Sequence, residues 1–72
     1  MWIRSQDKKV LIKCEDIEIS GTDIVNITRY GVAKLGKYST EEKALKVLDK
    51  ISHYVVHHPL ACYQMPTDEE VY

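Results

Sequence analysis

The chain has 72 residues, of which 44% are hydrophobic and 29% charged, and its formal net charge is -1. This length suffices for one domain, and the composition excludes an intrinsically disordered chain. The small net charge excludes attraction to nucleic acid or an anionic membrane by bulk charge. No apolar run approaches the roughly 20 residues of a membrane-spanning helix. We expect no signal segment, because Arg4 and Asp7 interrupt the start. We therefore predict a cytoplasmic protein in which the thiols of Cys14 and Cys62 stay reduced.

The first half of the chain carries the pattern of short β-strands. β-Branched and aromatic residues cluster in segments separated by polar turn residues, and one segment alternates strictly between apolar and polar positions. The first two segments are typical of a hairpin, and the fifth is weakened by Gly36. The segments cover residues 2–5, 10–14, 16–20, 24–30 and 32–38.

Val25 raises a question about the fourth segment. It stands between Ile24 and Ile27, which predicts either apolar residues on both faces of that strand or a β-bulge. If both faces are apolar, the second face needs a cover, such as a second copy of the chain or a partner.

One amphipathic helix is the strongest signal in the chain. Ser39 is a good N-cap, and Glu42 follows at the spacing of a capping box. Apolar residues then recur every three or four positions and form one stripe. Pro59 disfavours helical backbone at the residue before it, so the helix should end near residues 56–58. The stripe consists of Ala44, Val47, Leu48, Ile51, Tyr54 and Val55.

A last strand and a tail complete the predicted fold. Residues 60–65 form a short apolar segment that is followed by Pro66. This pattern indicates a strand. Residues 67–72 are acidic, which predicts a flexible tail. We therefore predict an α+β fold, with a small antiparallel sheet of four to five strands packed on one amphipathic helix in the order β-β-β-β-α-β. Residues 1–66 form the single domain.

Catalytic and metal-binding patterns are weak. His53 and His57 are four residues apart on the helix, a spacing that can bind a metal ion, and Cys62 could add a sulfur ligand. No glutamate stands between the histidines as in metalloproteases, and a helix C-terminus favours histidine on electrostatic grounds alone. We predict no metal site, no cofactor and no catalytic residue.

Three stretches of the chain resemble small proteins encoded by phages and prophages of low-GC Gram-positive bacteria. They are the opening MWIRSQDK (residues 1–8), the helix entry LGKYSTEEKA (residues 35–44), and YQMP (residues 63–66) before the acidic end. The resemblance implies a mobile-element origin and a cytoplasmic setting. It implies no catalytic residues.

The leading functional prediction is a non-enzymatic protein that binds another protein or itself, as a homodimer. A small nucleic-acid-binding regulator is the alternative, because aromatic and basic side chains interleave along the strands, although the balanced charge disfavours it. A metal or thiol enzyme is a third hypothesis. Core packing is an equal alternative for two of the candidate contact residues, Trp2 and Tyr63. The full candidate set, chosen for residue types enriched at interfaces, is Trp2, Arg4, Tyr30, Tyr63 and Met65.

Overall fold

The computed structural model describes residues 1–14, 16–58 and 60–71. Within them, six strands form two three-stranded sheets, in the orders β2-β1-β6 and β3-β4-β5. All strand pairs are antiparallel except β1 with β6, which is parallel. In chain order, the elements are β1 (Trp2–Arg4), β2 (Leu11–Lys13), β3 (Asp16–Ser20), β4 (Asp23–Thr28), β5 (Gly31–Lys37), α1 (Glu41–His57), β6 (Cys62–Gln64) and a 3₁₀ turn (Asp68–Glu70).

The α+β class, the antiparallel strands and the single helix are confirmed. The structure differs from the prediction in detail, because the strands divide between two sheets and five of them precede the helix. The fifth is a full strand despite Gly36. Strand β6 lies parallel to β1 because the chain crosses over through α1 before it returns to the first sheet.

The pairing of β4 with β5 answers the question about Val25. Ile24 pairs with Gly36 and Val25 with Lys34, so Leu35 is an extra residue and β5 carries an irregularity of the bulge type. The extra residue allows both Leu35 and Gly36 to be buried. Ile24 and Val25 are also both buried. Strand β4 therefore combines the two alternatives, with a bulge in its partner and apolar residues on both of its own faces.

One hydrophobic core joins both sheets, the helix and the end of the chain. The helix contributes one side of its apolar stripe, while Val55 on the flank of the stripe remains exposed. Within the described residues, no helix is long and apolar enough to cross a membrane. The core consists of Ile3, Cys14, Ile24, Leu35, Tyr38, Ala44, Val47, Ile51, Met65 and Val71.

The helix begins one residue later than predicted. Thr40, not Ser39, is the N-cap, and its side-chain oxygen accepts a hydrogen bond from the Lys43 N–H at 3.1 Å. Ser39 precedes the cap, and its N–H donates to the Asp68 carboxylate at 2.8 Å. The helix ends where expected, with His58 as its C-cap; Pro59 lies outside the described residues.

The predicted flexible tail is a packed segment as far as residue 71. Asp68 accepts hydrogen bonds from the Ser39 N–H and from the Lys43 ammonium, and the Thr67 N–H donates to the Glu70 carboxylate at 2.9 Å. Val71 is only 4% exposed and belongs to the core. The domain boundary expected at residue 66 therefore moves to include residues 67–71, because Asp68 accepts a hydrogen bond from the backbone of the body and Val71 packs in the core. Tyr72 lies outside the described residues.

Candidate functional site

The outer face of the first sheet is a continuous exposed surface, which we call the Trp2 face. Residues opposite each other on neighbouring strands share a face of the sheet, and Trp2 pairs with Lys13 on one side and with Cys62 on the other. Trp2 is 47% exposed and Leu11 is 57% exposed. The six side chains of the Trp2 face, all exposed, are Trp2, Arg4, Leu11, Lys13, Cys62 and Gln64.

Strand periodicity fixes this face, because the intervening residues point inward. Ile3 is fully buried in the core, and its cross-strand partners Ile12 and Tyr63 are half-buried against the core. A shift of one residue in either strand pair would exchange the two faces. Burial of Ile3 therefore holds Trp2 and Arg4 on the solvent side.

Three hydrogen bonds to backbone carbonyl oxygens fix two polar side chains of the Trp2 face. Arg4 donates from Nε to the carbonyl oxygen of Lys8 at 3.1 Å, so its side chain follows the β1–β2 turn. The Gln64 amide donates to the carbonyl oxygens of Ser5 and Met65, each at 2.9 Å. Both groups are therefore positioned before any partner arrives, which lowers the entropy cost of binding.

The Trp2 face is cationic. It carries Arg4 and Lys13, and none of its six residues is acidic. The only carboxylate within residues 1–14 is Asp7, which accepts hydrogen bonds from the Ser5 hydroxyl at 2.6 Å and from the Lys9 N–H at 2.9 Å. The Ser5 bond, followed by the Lys9 N–H, lowers the pKa of Asp7. The Asp7 carboxylate therefore stabilises the β1–β2 turn and does not neutralise the positive charge of the Trp2 face.

The two thiols occupy contrasting environments. Cys62 is exposed on the Trp2 face, where it pairs with Trp2 across the parallel strands. Cys14 is buried in the core, and this burial raises its pKa. Because the thiolate is the reactive form of cysteine, Cys14 should react slowly with an alkylating reagent. Cys62 is thus a natural probe of the Trp2 face.

The structure separates the predicted contact residues. Trp2 and Arg4 lie together on the Trp2 face, whereas Tyr30 is 90% exposed at the β4–β5 turn of the second sheet. Met65 is 1% exposed, so its assignment as a surface contact is wrong. Tyr63 is half-buried and meets the Tyr54 ring edge-on at a centroid distance of 5.1 Å, which gives it the core role considered as an alternative.

Leu11 and Lys13 belong to the face but were not among the sequence candidates. Neither residue type stands out alone, since leucine is under-represented among interface hot spots and lysine is depleted in interfaces. The signal that would have found them is the hairpin register, which places Leu11 opposite Arg4 and Lys13 opposite Trp2.

The structure brings together only two of the three residues considered as metal ligands in the sequence. The imidazoles of His53 and His57 are both exposed, with ring centroids 4.2 Å apart and planes tilted by 42°. His58 instead packs on Tyr54, at a centroid distance of 4.8 Å. Across the described part of the chain, no three His, Cys, Asp or Glu side chains form a group that could hold a metal ion. Cys62 therefore does not complete a site with the two histidines.

Two cavities lie among the described residues, and both are smaller than a typical small-molecule site. One of about 120 Å³ lies between the β1–β2 turn and β5, beside Val10 and Leu35. The other, about 280 Å³, lies beside Tyr30 and Val32 near the β4–β5 turn. Small-molecule pockets usually enclose roughly 300–1,000 Å³.

The chain matches no protein-family model, no curated protein and no solved structure. Its function is therefore inferred from its own side chains.

Proposed function

We propose that this chain is a non-enzymatic protein-binding module of phage or prophage origin that acts in the cytoplasm and binds its partner through the Trp2 face. The observation that carries the proposal is an exposed tryptophan on a sheet face that has leucine and two cations but no carboxylate. Tryptophan and arginine are the residue types most enriched at the energetic centres of protein interfaces. The phage origin rests on the resemblance at residues 1–8, 35–44 and 63–66.

The apolar part of the Trp2 face is large enough to contribute to the free energy of binding a partner. A tryptophan buries 150–250 Å² at most, so covering the exposed half of Trp2 would remove roughly 100 Å² from water. At about 25 cal/mol per Å², this burial corresponds to about 2.5 kcal/mol of transfer free energy, from which the entropy costs of association are subtracted. Leu11, exposed to a similar fraction, would add to it.

The charge of the Trp2 face favours an acidic polypeptide with apolar side chains as the partner. In a symmetric dimer each copy presents the same patch to the other, so Arg4 and Lys13 would lie against a second pair of cations. Like charges across an interface are costly. Carboxylates of a different protein would instead pair with both cations, while an apolar side chain covers Trp2 and Leu11.

Single-stranded nucleic acid is the second candidate partner, because it too is anionic and its bases stack on aromatic side chains. The position of Trp2 directly opposite Lys13 favours it, because a cation there could contact a phosphate beside a stacked base. Two observations favour protein instead: the net charge of the chain is -1, and Leu11 next to Arg4 provides an aliphatic surface with no role in stacking.

Three variants test the proposal by affinity capture from an extract of a low-GC Gram-positive bacterium. The wild type and Tyr30→Ala should retain the same acidic protein, and Trp2→Ala and Arg4→Glu should lose it. Tyr30→Ala is the matched control, because it removes an even more exposed aromatic ring from the other sheet. Retention should fall as salt is raised, since charge pairs at the rim are screened.

Three results would contradict the proposal. Capture unaffected by Trp2→Ala would remove the Trp2 face as the binding surface. A dimer of the free chain in light scattering, lost in Trp2→Ala, would make the occupant a second copy. Salt-dependent binding of a labelled single-stranded oligonucleotide, lost in the same variant, would establish nucleic acid as the partner.

A further inference from the structure

The C-terminal part of α1 brings two exposed imidazoles together. His53 and His57 are successive along one side of the helix, because residues four apart are neighbours on the helix surface. Their ring centroids are 4.2 Å apart. Both side chains are exposed, so neither is committed to the core.

This pair has the donor chemistry of a transition-metal site. Neutral imidazole nitrogen suits Zn²⁺, Cu²⁺ and Ni²⁺, whereas Ca²⁺ and Mg²⁺ require oxygen ligands. Two donors held on one rigid helix bind an ion as a chelate, so the second bond forms at a high effective concentration. Water can occupy the remaining coordination positions, since both imidazoles face solvent.

The backbone adds a second attraction for a cation. His57 is the last residue of α1 and His58 is its C-cap, so the pair lies at the negative end of the helix dipole. This charge would favour a bound divalent ion and disfavour an anion at the same place.

The sequence pattern alone predicted no metal site, but from the ring geometry we propose that His53 and His57 bind one late first-row divalent ion of the Ni²⁺, Cu²⁺ and Zn²⁺ class near the C-terminal end of α1. The site has two protein ligands. His58 is excluded because its ring packs on Tyr54, and Cys62 is excluded because it forms no metal-binding group with the histidines.

Titration with Ni²⁺ tests the proposal, by calorimetry and by paramagnetic broadening of the imidazole signals. The wild type should bind one ion, and the His53 and His57 signals should broaden first. His57→Ala should weaken binding by roughly 10²-fold or more, the lower end of the gain from a second linked contact. His58→Ala and Cys62→Ser should leave the affinity unchanged.

A double variant controls for the number of histidines. Ser52→His combined with His53→Ala keeps three imidazoles but moves one around the exposed surface of the helix, so that it no longer faces His57. This variant should bind as weakly as His57→Ala, and circular dichroism without metal should show that both retain the helix. The proposal is overturned if either variant binds Ni²⁺ as tightly as the wild type, or if the first signals to broaden belong to the amino terminus or to Cys62.

Discussion

Replacement of Val71 by alanine tests whether the end of the chain is part of the fold. Val71 is 4% exposed and packs in the core with Tyr38 and Met65. The substitution removes two methyl groups, which costs about 1.6 kcal/mol in transfer free energy. The cavity left behind adds to this, although a site near the chain terminus can partly collapse. We expect a total loss of about 2 kcal/mol, which for a domain of this size lowers the Tm by roughly 8–16 °C.

Urea and thermal unfolding, followed by far-ultraviolet circular dichroism, would measure this loss. Val56→Ala is the matched control, because it removes the same two methyl groups from a residue that is 74% exposed. The free energy of unfolding of the control should stay within about 0.5 kcal/mol of the wild type. Equal stability of the two variants would refute the packing of the terminal segment.

Three further predictions concern the same region. The Ser39 N–H that bonds Asp68 lowers the pKa of this carboxyl from the ordinary value of 3.8. The ionised Asp68 carboxylate therefore stabilises the fold fully above pH 3.8, and this stabilisation is lost as the pH falls through the lower folded-state pKa. Asp68→Asn should flatten the acid limb of a plot of Tm against pH. An unchanged acid limb would contradict this. Gly36→Ala should cost about 1–3 kcal/mol in urea unfolding, because an added Cβ would lie 3.1 Å from the hydroxyl of the buried Tyr38; a neutral substitution would mean that the ring can move. Tyr38→Phe should cost about 1 kcal/mol, since it removes the O–H that donates to the Pro66 carbonyl oxygen at 2.8 Å; no loss would show that this bond is dispensable.

Local patterns in the sequence were sufficient for the elements of the fold but not for their arrangement. The alternation of Ile17 and Ile19 predicts β3, and the spacing of Ala44, Val47 and Ile51 predicts the buried side of α1. Completion of the first sheet depends on pairing between β1 and β6, about 60 residues apart in the chain. No local propensity encodes such a contact.

The terminal segment shows where composition misleads. Its three acidic residues are typical of a solvated tail, yet Asp68 and Glu70 each accept a backbone hydrogen bond. Val71 was the only apolar signal in the described part of the segment, and a single valine is too little to predict burial.

The candidate site was predicted in part, because residue type alone does not distinguish an interface from a core. Met65 follows Tyr63 at the period of a strand, so both lie on the inner side of the first sheet. Trp2 and Arg4 share the opposite phase and are exposed. Register therefore separates candidates that composition had grouped together.

The alkylation rate of Cys62 is the most direct test of the Trp2 face as a binding surface. The exposed Cys62 thiol lies on the Trp2 face, so its alkylation rate should fall when a partner covers the face. The alkylation rate of the buried Cys14 provides the internal reference. We predict that the bacterial extract slows alkylation of Cys62 in the wild type, that high salt restores the rate, and that Trp2→Ala removes the protection. An equal rate in extract and in buffer would contradict the account.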